Sequence, residues 1–176
     1  MKLIGKEIFL APLKQKDCHT LFKTTEYDPN TELDRPVEYT KEKADEWYEE
    51  IQKSQHKTHV RLGIFTSENE VVGDVAIQDI DNNNHSATLG LGIAKLSNRR
   101  KGIGYEAMLL IIDYAFNKLN INRLSAETSV INSSAINLLL KLNFKHEGVL
   151  RQAKYCHTHY YDIHIFGLLK EDIKKA

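Results

Sequence analysis

Ten residues near the middle of the chain constrain its fold most. Asn98-Arg99-Arg100-Lys101-Gly102-Ile103-Gly104-Tyr105-Glu106-Ala107 sets three cations and two glycines between a strand-like stretch and one of helical period. The helical stretch, 104–119, carries Met108, Ile112, Ala115 and Leu119 on one face, and 123–130 beyond it reads as a strand. This is a β-α-β crossover, which argues a mixed sheet with helices packed on it. The first turn of any helix has N–H groups without intrahelical partners, and the macrodipole makes that end positive. Glycines let a ligand approach the backbone without meeting a Cβ. The turn can therefore seat an anion such as a diphosphate. A basic loop with a glycine helix start is the plainer reading of the bare Gly-x-Gly.

The remaining elements fit around that unit. Residues 7–11 read as a short strand closed by Pro12, and 14–25 as a helix with Cys18, Leu21 and Phe22 inward. Residues 26–40 hold two of the three prolines and no period, so they form an irregular loop. Thr40 caps a helix over 41–53, with Ala44, Trp47, Tyr48 and Ile51 on one face. Strands are predicted at 59–66, 71–80 and 85–94, the last two joined by the turn Asp81-Asn82-Asn83-Asn84. Asn132 caps a helix running to Leu142, and strands follow at 144–150 and 160–169. The order β-α-α-β-β-β-α-β-α-β-β describes an α/β (α+β) fold, taken as one domain over residues 1–176.

Composition narrows the function classes. Hydrophobic residues make up 41%, charged residues 27%, and the formal net charge is zero. No global field draws this chain to nucleic acid or an acidic membrane. The cations of 95–101 form one compact patch with no aromatic interleaving, unlike a nucleic-acid surface. The two cysteines, Cys18 and Cys156, are far apart and suit a reducing compartment. No apolar run is long enough for a signal peptide or a membrane span, so a cytoplasmic protein is expected. His157-Thr158-His159 has nothing to complete a metal site, and none is expected.

The basic turn resembles the Arg/Gln-x-x-Gly-x-Gly/Ala signature of the GNAT superfamily of N-acetyltransferases, with Arg99, Gly102 and Gly104 at its three fixed places. It is neither a Walker loop nor a dinucleotide fingerprint. A second stretch, from Asn132 through Asn143-Phe144 to Glu147-Gly148, is similar to the Asn-x-x-Ser/Ala…Gly/Asn-Phe-x-x-Glu-Gly element of the ribosomal-protein N-acetyltransferase-like branch. The resemblance implies a mixed, mostly antiparallel sheet and direct transfer from acetyl-coenzyme A to a primary amine. That amine would be a protein N-terminus or a small cationic molecule. It implies that Ile93, Ala94, Arg99, Arg100, Lys101, Gly102, Ile103, Gly104, Tyr105 and Asn132 hold the cofactor, Asn132 through the pantetheine arm. A polyamine or aminoglycoside acetyltransferase on the same cofactor site is the nearest alternative, and a non-catalytic acyl-coenzyme A-binding module the more distant one. A homodimer is left open.

The pattern departs from the family where catalysis is concerned. The tyrosine often found seven residues after the asparagine is Leu139, and the branch's serine three residues after it is Ala135, with Ser134 one place earlier. A glutamate common in the third strand is Thr88. Ser134 is thus the candidate acid. Asp74 is the candidate base, since a hairpin centred on Asn82-Asn83 sets it across from Gly92; an exposed strand carboxylate is its other reading. His85, His146, His157 and His159 are further possible bases. Glu32, Asp34 and Glu38 give the irregular loop a negative charge that no helical period explains, so they are expected to line the site of a cationic acceptor.

Overall fold

In the computed structural model, which describes residues 1–173, the chain runs through β1 (Leu3–Ile4), β2 (Ile8–Ala11), α1 (Gln15–Thr24), α2 (Lys41–Ser54), β3 (Val60–Thr66), β4 (Val71–Asp81) and β5 (Ser86–Ile93). A 3-10 turn (Leu96–Asn98) leads to α3 (Ile103–Asn117), β6 (Arg123–Ser129), α4 (Ser133–Lys141), β7 (Lys145–Cys156), β8 (His159–Leu169) and a single turn, α5 (Lys170–Ile173). The strands form one sheet in the order β1-β2-β3-β4-β5-β6-β8-β7. Every pairing is antiparallel except β5 with β6, the crossover through α3.

Local signals account for most of these elements. Thr40 Oγ1 accepts the Lys43 N–H (3.2 Å) and starts α2. Asn132 Oδ1 accepts the Ala135 N–H (3.1 Å) and starts α4, and Asn143 follows that helix with φ 64°. Glu106, in the first turn of α3, accepts the backbone N–H groups of Lys6 and Glu7, a carboxylate at the positive end of the helix. Two strand features exceed the sequence reading. β1 adds Leu3↔Leu10 and Ile4↔Phe9 to the sheet edge, too short to show a period. β7 continues to Cys156, six residues past the expected end. Its outer part is mostly exposed and interrupted between Leu150 and Lys154, so no alternation marked it.

Cross-strand partners share a face, and register therefore sorts the side chains. Leu89, Leu91 and Ile93 of β5 lie with Ile77, Val75 and Gly73 on the face covered by α3. There they join Met108, Ile111, Ile112, Ala115 and Phe116 in the larger core, with Leu124, Phe166 and Leu168 from β6 and β8. The opposite face packs under α1 and α2, where Leu13, Cys18, Leu21, Ile51 and Phe65 form a smaller cluster. Burial pushes the Cys18 thiol up to about 12, so it belongs to that core and is no nucleophile.

The parallel pairing is short. Ser86↔Arg123, Ala87↔Leu124 and Thr88↔Ser125 are its only partners, and beyond them β5 and β6 part. Leu124, 0% exposed where β6 passes into the core, anchors the closed end of this fork. Leu124→Ala is expected to cost about 2–5 kcal/mol. Leu109→Ala, on the outer side of α3 at 46% exposure, is expected to cost less than about 0.5 kcal/mol. Urea unfolding of the two variants checks the contrast.

Candidate active site

A cavity of about 1030 Å³ opens where β5 and β6 part. A smaller one of about 630 Å³ adjoins it, with Thr25, Thr31, Glu32, Pro36, Glu127, Thr128 and Asn132 lining both. Ile93, Ala94, Arg99, Arg100, Gly102, Gly104, Tyr105 and Asn132, all expected to hold a cofactor, line the larger cavity. Lys101 is exposed outside its lining, and Ile103 packs against the core.

At the basic turn the backbone is left-handed at Arg100 (φ 62°) and at Gly102 (φ 86°), which caps α3. A Cβ at Gly102 would meet nothing within 4 Å, so this glycine answers to its φ and not to crowding. A Cβ at Gly104 would sit 3.1 Å from Leu91 Cδ2, so this one lets α3 settle on β5. The helical ladder begins with Glu106 N–H to Gly102 O (3.0 Å), and the N–H groups of Ile103, Gly104 and Tyr105 precede it. With Arg100 at the rim, and Lys141 lying over the Tyr105 ring at 4.4 Å, this end of the cavity is suited to an anion. The Arg99 side chain turns elsewhere: Nη2 donates to Glu32 Oε1 (2.8 Å), and Nε and Nη2 donate to Ile93 O (3.3 and 3.1 Å).

The other face of the fork is polar. Thr88, Gly90 and Gly92 of β5 share it with Gln78, Ala76 and Asp74 of β4, and Ser125 and Glu127 of β6 continue it. Asp74 lies across from Gly92, the expected partner, and a register shift between Gln78 and Asp81 puts it there. It is no exposed strand carboxylate, however: its side chain is 18% exposed and ion-paired with Arg61, which stacks over Trp47 at 5.7 Å. Burial pushes its pKa up, and the Arg61 guanidinium only partly opposes that shift. A Cβ at position 92 would stand 3.1 Å from Asp74 Oδ1, so the glycine leaves room for the carboxylate.

Ser134 and Ala135 line the cavity from the first turn of α4, with Ser134 exposed. Leu139 is a core residue at 5% exposure. Of the three loop acids, Glu32 lines both cavities but is paired with Arg99, and Asp34 lines the smaller one but is paired with Lys154 (2.8 Å). Glu38 lines neither; it stands exposed ahead of α2, its backbone oxygen accepting Lys43 Nζ (3.4 Å). His85, His146, His157 and His159 line neither cavity. Among the described residues no group of three or more His, Cys, Asp or Glu side chains is placed to hold a metal.

The residue that sequence reasoning passed over is Glu127. It lines both cavities and is exposed, and its side chain has neither an ion pair nor a hydrogen bond among the described residues. The signal was the alternation Ser125, Glu127, Ser129, a polar face on a strand next to the crossover.

Comparison with known proteins identifies the family and the fold. The acetyltransferase (GNAT) domain model matches residues 7–145. The uncharacterized N-acetyltransferase p20 of Bacillus licheniformis is 34% identical over 113 residues, 64% of this chain and 63% of that protein's own length. Two solved structures share the fold. One is a chimera of the spermidine N-acetyltransferase SpeG from Vibrio cholerae and hSSAT, with TM-score 0.85, 22% identity, and coverage of 97% of this chain and 100% of that one. The other is RimL, a ribosomal L7/L12 alpha-N-protein acetyltransferase in complex with coenzyme A, with TM-score 0.85, 19% identity, and coverage of 96% and 98%. With that domain model spanning most of its length, from the second strand into the seventh, the chain belongs to the GNAT family of acetyltransferases.

Proposed function

We propose that this chain transfers the acetyl group of acetyl-coenzyme A directly to a primary amine, acting as a single cytoplasmic N-acetyltransferase domain. One observation carries the reading: the forked sheet has an anion-ready helix start on one face and carboxylates on the other, so donor and acceptor meet through the fork. The N–H groups of Ile103, Gly104 and Tyr105, with Arg100 at the rim, suit the diphosphate. Asn132 spends its amide oxygen on Ala135 N–H, which leaves the NH₂ to donate to the pantetheine arm. Both cysteines are free, in keeping with a reducing compartment, and no described helix is long and apolar enough to cross a membrane.

On the amine side, Glu127 supplies uncompensated negative charge and draws the ammonium form in. The amine must then lose a proton before attack. Asp74 takes that proton, its raised pKa making it a better base than an ordinary aspartate. The nitrogen lone pair forms the C–N bond, the C–S bond breaks with the thiolate taking its electron pair, and the nitrogen gives up its second proton to solvent as the amide forms. The thiolate takes a proton from solvent, either directly or through Ser134, whose hydroxyl lines the same cavity and is reprotonated by solvent. The acceptor class follows from Glu127, a protein N-terminus or a small cationic amine. The fold neighbours named above are called a spermidine acetyltransferase and a ribosomal-protein acetyltransferase, one of each kind.

Incubation with acetyl-coenzyme A and a panel of spermidine, aminoglycosides and N-terminal peptides, with detection of free thiol, tests the proposal. Sustained thiol release with at least one amine is expected, and its absence across the panel returns the chain to a binding module. Asp74→Asn is expected to lower kcat by ~10²-fold with the coenzyme A dissociation constant unchanged. A base must be deprotonated to act, so wild-type kcat/KM should rise with pH through the raised Asp74 pKa, and that acidic limb should vanish in the variant. Glu127→Gln is expected to raise KM for a cationic acceptor about fivefold, an effect of roughly 1 kcal/mol. It should shrink as salt rises. Glu38→Gln, outside both cavities, should leave KM unchanged.

A further inference from the structure

Two segments distant in sequence are stitched together beside the cavity. The Glu26 N–H donates to Ala94 O (2.9 Å), and the Leu96 N–H donates to Glu26 Oε2 (2.6 Å). Arg99 adds side-chain bonds to Ile93 O and Glu32, and its Nη2 also reaches Glu26 O (3.4 Å). The second oxygen of Glu32 accepts the Asp28 N–H (2.9 Å), and Asp28 Oδ1 accepts the Asn30 N–H (3.0 Å). The chain of contacts thus runs from the cofactor turn through Arg99 and Glu32 into loop 26–36. Its central ion pair is sheltered, with side-chain exposures of 23% and 30%, so solvent screens it less than a surface pair.

Arg99 immediately precedes Arg100, whose left-handed backbone sits at the anion seat. A ligand that fixes residues 100–105 fixes the backbone from which Arg99 reaches the loop. Loop 26–36 supplies Asp28, Thr31, Glu32 and Pro36 to the cavity wall. We propose that Arg99 is a positioning residue that couples the two half-sites, so that a cofactor bound at the turn orders the acceptor loop through the Arg99–Glu32 ion pair. This rests on the acetyl transfer proposed above. The loop then loses less conformational freedom when the amine arrives, and the amine tightens the cofactor by the same factor.

The test is hydrogen–deuterium exchange of residues 26–36 with and without coenzyme A, beside calorimetric titration of coenzyme A. In the wild type, coenzyme A should slow exchange of the loop by at least about threefold. Arg99→Gln and Glu32→Gln should each abolish that response, the double variant should add nothing, and the coenzyme A dissociation constant should change less than about threefold in all of them. Arg99→Lys, which keeps a cation for Glu32, should restore part of the response. Persistence of the response in Arg99→Gln overturns the coupling, as does a loss of coenzyme A affinity of tenfold or more, which would make Arg99 a diphosphate ligand instead. Failure of the wild type to bind coenzyme A is a different result and removes the acetyltransferase reading itself.

Discussion

The parting of β5 from β6 after Thr88 and Ser125 is the constraint on which the rest of the molecule depends. A sheet that stayed zipped would bury the backbone of β5 on both edges and leave no route between its faces. Here β4 satisfies one edge of β5 along its length, while the other edge loses its neighbour after three residue pairs. Backbone groups in a protein interior need partners. At the far end, Arg99 and the Glu26 N–H occupy the carbonyls of Ile93 and Ala94. The stretch between, Leu89 to Gly92, is where a ligand's own amides can complete what β6 leaves undone.

Charge in the cavity follows a similar division. Glu32, Asp34 and Asp74 each have a cationic partner, and Asp28 is engaged by the Asn30 backbone and side chain. A count of acidic residues therefore overstates the field that an incoming amine meets. The Glu32 and Asp34 pairs set geometry, whereas Glu127 keeps a charge to offer.

The proposed cofactor half of the site was far more legible in the sequence than the proposed acceptor half. Gly102, Gly104 and the cations before them are contiguous, and the need for a positive φ or close packing is a local matter that residue type reports. Thr40, Asn132 and Asn143 announced helix boundaries for the same reason. The acceptor half is assembled from residues far apart: Glu32 meets Arg99, Asp34 meets Lys154 and Asp74 meets Arg61. The loop's excess of acids was visible, but its partners were not, because ion pairing across a fold leaves no spacing signal. Hairpin register was legible only to within a residue: the turn that pairs Asp81 with Ser86 would set Asp74 against Ile93, and the shift between Gln78 and Asp81 brings it to Gly92. The outer half of β7 stayed hidden because exposed strands need not alternate.

The run Thr88-Leu89-Gly90-Leu91-Gly92-Ile93 has a further consequence. Its odd-numbered side chains face α3 and its even-numbered ones face Asp74 and Gln78. Because the pleat has a period of two, this one strand serves two masters without mixing them. All six positions line the one cavity, but exchanges at 88, 90 or 92 bear first on the Asp74 face, while exchanges at 89, 91 or 93 bear first on the packing of α3. Such a partition lets a lineage drift from one acceptor to another while its donor seat is inherited intact.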